Sequence, residues 1–383
     1  MNMTKTKILI LHTSVGHGIK TTAYNLAETL GHDPEFEIRV EDIGRVEASV
    51  FAKSIEAAYK KIMDRFGGLW GFLYRSRLVL GIMMPLRKFI ASFQSKKTLE
   101  LLRQFQPAIV ISTQAVSTGI IAYLKSKDLY RGRLVAVFSD YHLHPFWCFD
   151  EVDLYFCNLA EQAEGLKRLN VPVEKIAITG LFVAEKFYKP IDRQQACQDL
   201  GLLLTMPKVL LFSGARPRMS NKEIFLALLR SPKSFQVIAI CGNNMELKSE
   251  LEKISAPKNH PVKIYGYTDS VAELMSAADV LVGKTGGPTM GEAVLKKLPL
   301  VLTDIAPGHE QENLEFLVRH GVAHYGRIPR EVVFLVEEIL DGRKATNWEQ
   351  AFRTIIKPEG TVGAIEALHA IRPRALVRNY QEQ

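Results

Sequence analysis

The chain has 383 residues, 47% of them hydrophobic and 23% charged, with a formal net charge of +8. That is more apolar material than one core usually holds, so two domains are expected, and the charged fraction reads as a soluble, globular protein. No window of eighteen uninterrupted apolar residues occurs, which excludes a bilayer-spanning helix; the longest apolar region, residues 66–90, is broken by Arg75, Arg77, Arg87 and Lys88.

The first residues run straight into the strand-like stretch Ile8-Leu9-Ile10-Leu11, so no secretory leader is expected. Strand-like runs then follow at 36–41, 108–112, 133–138, 154–157 and 175–179, alternating with helix-period segments such as 21–30, 97–105 and 160–169. The pattern resets after Tyr188-Lys189-Pro190 and resumes with strand-like runs at 209–212, 235–241, 262–265, 280–282 and 300–303. Strand–helix alternation implies a mostly parallel sheet covered on both faces. Two such series predict an α/β chain of two doubly wound domains, residues 1–188 and 189–346. A strand-free helical tail follows at 347–383, for which packing back on the first domain is one arrangement.

Four cysteines (Cys148, Cys157, Cys197, Cys241) fall at no zinc or redox spacing and fit a reducing compartment. The positive charge is concentrated. Between residues 51 and 103 there are eleven basic residues against three acidic ones, a local excess of eight that equals the whole-chain excess. Localised basicity implies an anionic partner. Trp70, Phe72 and Leu73 interleave with Arg75, Arg77, Arg87 and Lys88, the composition of a segment lying in a membrane interface. No nucleic-acid recognition motif accompanies the charge, so nucleic acid is not expected as a partner.

In open α/β sheets ligands bind beyond the carboxyl ends of the strands. The first strand runs into His12-Thr13-Ser14-Val15-Gly16-His17-Gly18, where small residues allow a tight turn and His17 is placed for proton transfer. Gly16 and Gly18 lack a third glycine three residues on, so this is not a dinucleotide fingerprint. Residues 280–293 read strand, glycine-rich loop, helix start: Gly283-Lys284-Thr285-Gly286-Gly287-Pro288-Thr289, with Glu292 one turn in. Backbone N–H groups and the helix dipole at such a start bind a diphosphate, and Glu292 can accept from ribose hydroxyls. Gly-Lys-Thr imitates the end of a P-loop, but Ala278 stands where that motif needs glycine. The loop after 300–303 crowds in His309, Glu310, Gln311, Glu312 and Asn313. In the first half, Asp140, His142, His144 and Trp147 follow a strand end; two histidines one residue apart are weak grounds for a metal, and none is expected.

Together these loops resemble glycosyltransferase family 28, in the branch of monogalactosyldiacylglycerol synthases and processive diacylglycerol glucosyltransferases. The resemblance covers nearly the whole chain and is most specific from Tyr265 to Glu292 and from Pro307 to Asn313. It implies two Rossmann-like domains facing a cleft (the GT-B fold), an inverting, metal-independent transfer of glucose or galactose from a UDP-sugar to diacylglycerol or a related lipid, and a cytoplasmic enzyme peripheral on the cytoplasmic face of the cell membrane. By position, His17 matches the family's loop base. Gly266 and Tyr267 match the uracil contact, Lys284 to Thr289 the diphosphate turn and Glu292 the ribose acid. Glu310, Gln311 and Asn313 match the sugar loop, and Asp140, His144 and Trp147 the branch's Asp…His…Trp pattern. Gly214 and Arg216, after the strand at 209–212, are further donor-side candidates. The sequence departs from the family at Ser14, where glycine is usual, and at residues 181–186. Two alternatives share the fold: N-acetylglucosaminyl transfer to a lipid-linked cell-wall precursor, and a non-catalytic nucleotide-sugar-binding protein.

Overall fold

The computed structural model describes residues 5–13, 17–47, 87, 91–92, 95–212, 221–284, 286–303, 309–357 and 360–372. The chain divides into two compact units, one of Met1–Glu185 with Lys357–Gln383 and one of Lys186–Ile356. The division falls three residues before the seam read from the sequence.

In the first unit, β1 (Thr6–His12), β2 (Phe36–Asp42), β3 (Ile109–Ser112), β4 (Arg133–Val137), β5 (Leu154–Cys157) and β6 (Ile176–Ile178) form a parallel sheet in the order β2-β1-β3-β4-β5-β6. Side chains of a strand alternate between faces, and the core divides accordingly. Leu9, Leu11, Val110, Leu134 and Ala136 join one cluster, while Ile8, Ile10, Ile109, Ile111 and Val135 join another. Helices α1 (His17–Leu30), α2 (Lys96–Phe105), α3 (Ala115–Ser126) and α4 (Ala160–Arg168) supply the cover. Ala23 and Leu26 of α1 join the second cluster, and Leu101, Ile120 and Leu166 join the first. Burial of both faces explains why the inner strands β1, β3, β4 and β5 read as near-continuous apolar runs, whereas the edge strand β2 alternates and is partly exposed.

In the second unit, β7 (Lys208–Phe212), β8 (Gln236–Ile240), β9 (Val262–Tyr265), β10 (Val280–Gly283), β11 (Leu300–Leu302) and β12 (Ala323–Tyr325) form a parallel sheet ordered β12-β11-β10-β7-β8-β9. Helices α5 (Gly287–Leu295) and α6 (His309–Arg319) follow β10 and β11. Gly283 lets β10 lie close to β7, since a Cβ there would stand 3.2 Å from that of Phe212.

Residues 347–383 are not one tail. Helix α7 (Trp348–Ile355) packs on α5 in the second unit, whereas α8 (Gly360–Ile371) belongs to the first. Ala364 and Leu368 of α8 are fully buried with Ile8, Phe36 and Phe156. His369 stacks on Phe36 at 4.9 Å and pairs with Asp33 at 2.7 Å, and Arg372 pairs with Glu35 at 2.5 Å. The hydrogen bond from His369 holds the Asp33 carboxyl below its ordinary range. Gly180 admits the returning chain: its φ is +73°, and a Cβ would stand 2.7 Å from that of Lys357.

Between β2 and α2, Glu47 is buried. Its Oε1 accepts from the Thr98 backbone N at 2.6 Å and from Thr98 Oγ1 at 2.7 Å. Glu47 thereby ties the chain just after β2 to the first turn of α2. Trp70, Phe72, Arg75, Arg77 and Lys88 lie outside the described residues. Among the described residues no helix is long and apolar enough to cross a membrane.

Candidate functional site

Each sheet has a point where the strand order reverses, between β1 and β3 in the first and between β7 and β10 in the second. These are the places where a doubly wound sheet opens a ligand crevice at its carboxyl edge. The glycine-bearing loops read from the sequence follow β1, β7 and β10, and so arrive at those two points.

At the first, β1 leads into α1, which opens at His17. Gly16 and the His17 side chain lie outside the described part. The neighbouring polar atoms His12 Nδ1, Thr13 Oγ1 and Thr22 Oγ1 are buried without a protein hydrogen-bond partner. Two strands along, the chain leaves β4 through Phe138 and Ser139 to half-buried Asp140. Its carbonyl accepts from Asn158 Nδ2 at 2.9 Å and from Gln162 Nε2 at 2.8 Å. The turn between β5 and α4 thus fixes the backbone that carries the Asp140 carboxylate.

His144 is 4% exposed and works as a cap: its Nδ1 accepts from the Phe146 N–H at 3.3 Å, and its ring stacks on Phe146 at 5.1 Å. Trp147 is half-buried, edge-on to Phe138 at 5.2 Å. Together they shape the turn that follows Asp140. Arg87, expected from the sequence as a lipid-facing cation, packs against this turn instead. Its guanidinium lies under this turn, donating to the carbonyls of Pro145, Phe146 and Cys148, with the Phe149 ring 3.7 Å away. A cation so engaged is not available to lipid headgroups.

At the second point, α5 starts with Gly286 as N-cap, which supplies no side-chain hydrogen bond. A serine or aspartate there would cap the first turn with its own side chain; glycine supplies no such cap, and the positive end of the helix dipole lies at this terminus. Pro288 in the first turn suits a position whose N–H has no intrahelical acceptor. Lys284 stands between β10 and this helix; Thr285, Gly214 and Arg216 lie outside the described residues. Glu292, the fifth residue after Gly287, is 9% exposed, and burial pushes its carboxyl up to about 7, with the Lys186 charge pulling the other way. Lys186 Nζ also donates to the Asp269 carbonyl at 3.0 Å. It thereby connects Glu292 to the loop after β9, where Gly266 packs near Met245 and Lys248 and Tyr267 is 73% exposed, its hydroxyl 3.2 Å from Asp269 Oδ1. On the other side, the Thr303 N–H donates to the Gly283 carbonyl at 2.8 Å, bringing the end of β11 beside the residue that precedes Lys284; α6 follows. There Glu310 and Gln311 are half-buried, Asn313 is fully buried, and Gln311 Nε2 donates to Glu315 at 3.1 Å. Among the described residues no cluster of three or more His, Cys, Asp or Glu could hold a metal ion.

Lys186 escaped the sequence reading. It lies in the segment that departs from the family pattern, and its partners, a backbone carbonyl 83 residues on and a buried carboxylate, leave no local signal.

Two parallel six-stranded Rossmann-like sheets with these loops at their reversal points are the architecture of the GT-B fold. The chain is similar over its full length to Acinetobacter baumannii MurG (TM-score 0.62, 12% identity, 96% of this chain and 99% of that one) and to Anabaena HepE in complex with UDP-glucose (TM-score 0.55, 16% identity, 95% and 99%). Residues 26–183 match the model of monogalactosyldiacylglycerol (MGDG) synthase and residues 218–348 that of the glycosyltransferase family 28 C-terminal domain. A relative, the processive diacylglycerol beta-glucosyltransferase of Bacillus cytotoxicus, is 27% identical over 279 residues, 73% of this chain and 71% of that protein. The chain belongs to glycosyltransferase family 28, in the branch of monogalactosyldiacylglycerol synthases and processive diacylglycerol glucosyltransferases.

Proposed function

We propose that this enzyme transfers a hexose from a UDP-sugar to diacylglycerol, with inversion and without a metal, at the cytoplasmic face of the cell membrane. The observation that carries the reading is the start of α5, where the N-cap Gly286 supplies no side-chain hydrogen bond and Glu292 stands buried one turn in. Uridine lies against Gly266 and Tyr267, and Glu292 accepts from the ribose hydroxyls. The diphosphate rests on the α5 terminus with Lys284, Thr285 and Thr289, helped by Gly214 and Arg216. Charge develops on that diphosphate as UDP leaves, and fixed donors there need no reorganisation during the reaction. Glu310, Gln311 and Asn313 hold hexose hydroxyls. In the first unit, His17 takes the proton from the attacking acceptor hydroxyl, with Asp140 orienting it; such base assistance contributes about 10²–10⁴-fold. Trp70, Phe72, Arg75, Arg77 and Lys88 meet the anionic bilayer surface.

Purified protein incubated with diacylglycerol liposomes and UDP-glucose or UDP-galactose in excess chelator will yield the hexosyl lipid. Transfer only to a cell-wall lipid precursor, or turnover only after a divalent ion is restored, would overturn the respective part of the reading.

A further inference from the structure

The basic segment 51–103 looks uniform in sequence, yet Arg87 does something its neighbours' composition does not suggest. Its Nη1 donates to the Pro145 carbonyl at 3.3 Å and to that of Phe146 at 3.1 Å, and its Nη2 donates to the Cys148 carbonyl. The guanidinium carbon lies 3.7 Å from the Phe149 ring centroid. Burial lowers the guanidinium below its ordinary value, with Asp150 and Glu151 among the groups opposing that shift. Three carbonyls within four residues point at one planar cation, a match to a fork of donors that an ammonium cannot reproduce. The same four residues contain Trp147, and the His144 cap immediately precedes them.

We propose that Arg87 is a positioning residue for the lipid acceptor: it holds the Pro145–Trp147 turn in the form that places His144, Trp147 and the backbone leading to Asp140, and so ties the interfacial segment to the acceptor side of the reaction. This rests on the acceptor reading above. A strained or loosened turn misplaces the acceptor, and an error of about 1 Å in a reacting group costs on the order of 100-fold.

The test uses the full chain with Arg87→Lys and Arg87→Met. On a short-chain, soluble diacylglycerol we expect kcat/KM for the acceptor to fall about 10- to 100-fold in both variants, with UDP affinity and flotation on anionic vesicles as in the wild type. Failure of lysine to rescue separates geometry from charge. A lipid-facing cation would give the opposite pattern: lysine as good as arginine, and methionine losing flotation while retaining soluble-acceptor kinetics. Either of those results overturns the proposal. A readout without any acceptor is acrylamide quenching of Trp147 in a Trp70→Phe, Trp348→Phe background. It should rise in both Arg87 variants, and unchanged quenching would refute the role. Should wild-type protein glycosylate no diacylglycerol, the acceptor reading fails while the quenching result still decides whether Arg87 holds the turn. Should Arg87→Met not fold, Arg87→Lys carries the comparison.

Discussion

Glu292 is the residue at which stability and binding oppose each other. Burial pushes its carboxyl from an ordinary 4.5 to about 7. The folded chain therefore holds this proton more tightly than the unfolded one. The sign follows: its contribution is most favourable below pH 4.5 and is lost as the pH rises through 7. The gap corresponds to about 3 kcal/mol at higher pH, at 1.36 kcal/mol per unit. Glu292→Gln keeps the shape and stays neutral throughout. It should therefore stabilise the unliganded protein at pH 8 by up to about 3 kcal/mol, raising the melting temperature by about 2–4 °C per kcal/mol, and change little at pH 4. The same variant loses a charge-assisted hydrogen bond to ribose, worth about 1.5–3 kcal/mol, so UDP should bind roughly ten- to a hundredfold more weakly. In the wild type, ribose hydroxyls favour the carboxylate, so UDP binding near pH 7 should release up to about half a proton, visible as a dependence of calorimetric enthalpy on buffer ionisation. Melting curves at pH 4 and 8 with UDP calorimetry decide the matter. A glutamine variant no more stable at pH 8, or one that binds UDP as the wild type does, would refute the reasoning.

His17→Ala should lower kcat by about two to four decades with UDP affinity unchanged; turnover near wild type in single-turnover assays would pass the role of base to Asp140. Leu368→Ala, deep in the first unit although near the end of the chain, should cost about 2–5 kcal/mol, read as faster hydrogen exchange in β1 and β6 with β7 and β10 unaffected. Reversing Arg75, Arg77 and Lys88 to Glu, with Arg87 left in place, should abolish flotation on anionic vesicles, since each cation near the surface contributes about 1 kcal/mol. Raising the salt should weaken wild-type flotation in step, and salt-insensitive binding would exclude the electrostatic account.

Eleven of the strands are legible in the sequence: the inner ones from continuous apolar runs, because both of their faces are buried, and edge ones such as Phe36–Asp42 and Val262–Tyr265, which are partly exposed, from their β-rich composition. The twelfth, Ala323–Tyr325, has three residues and carries His324 and Tyr325 with partial exposure, so no run marks it. Helix Ala115–Ser126 was not singled out either: seven of its residues are buried, and a helix covered on most sides shows no amphipathic stripe. The candidate loops could be placed because strand ends are where ligands bind, but the strand order that brings the β7 and β10 loops together is a non-local fact. Function in the interior was least legible. The roles of Arg87 and Lys186 depend on backbone carbonyls 58 or more residues away, and the burial of Glu292 depends on what packs over α5. The residue where expectation and structure differed most, Arg87, is a charged group that composition assigns to a surface and hydrogen bonding draws inward.

The clasp between Glu47 and Thr98 has an evolutionary consequence. Because Glu47 and Thr98 meet in a buried hydrogen-bonded pair, the sequence between them can change in length without moving a strand of the sheet, provided that Arg87 and Ala91, which pack in the first unit, are kept. Loop-closure entropy scarcely resists this, since each doubling of a flexible loop costs about 0.6 kcal/mol. On the proposed docking role, affinity for a particular bilayer can therefore drift between lineages while the scaffold is held constant, and any such graft must carry Arg87 with it.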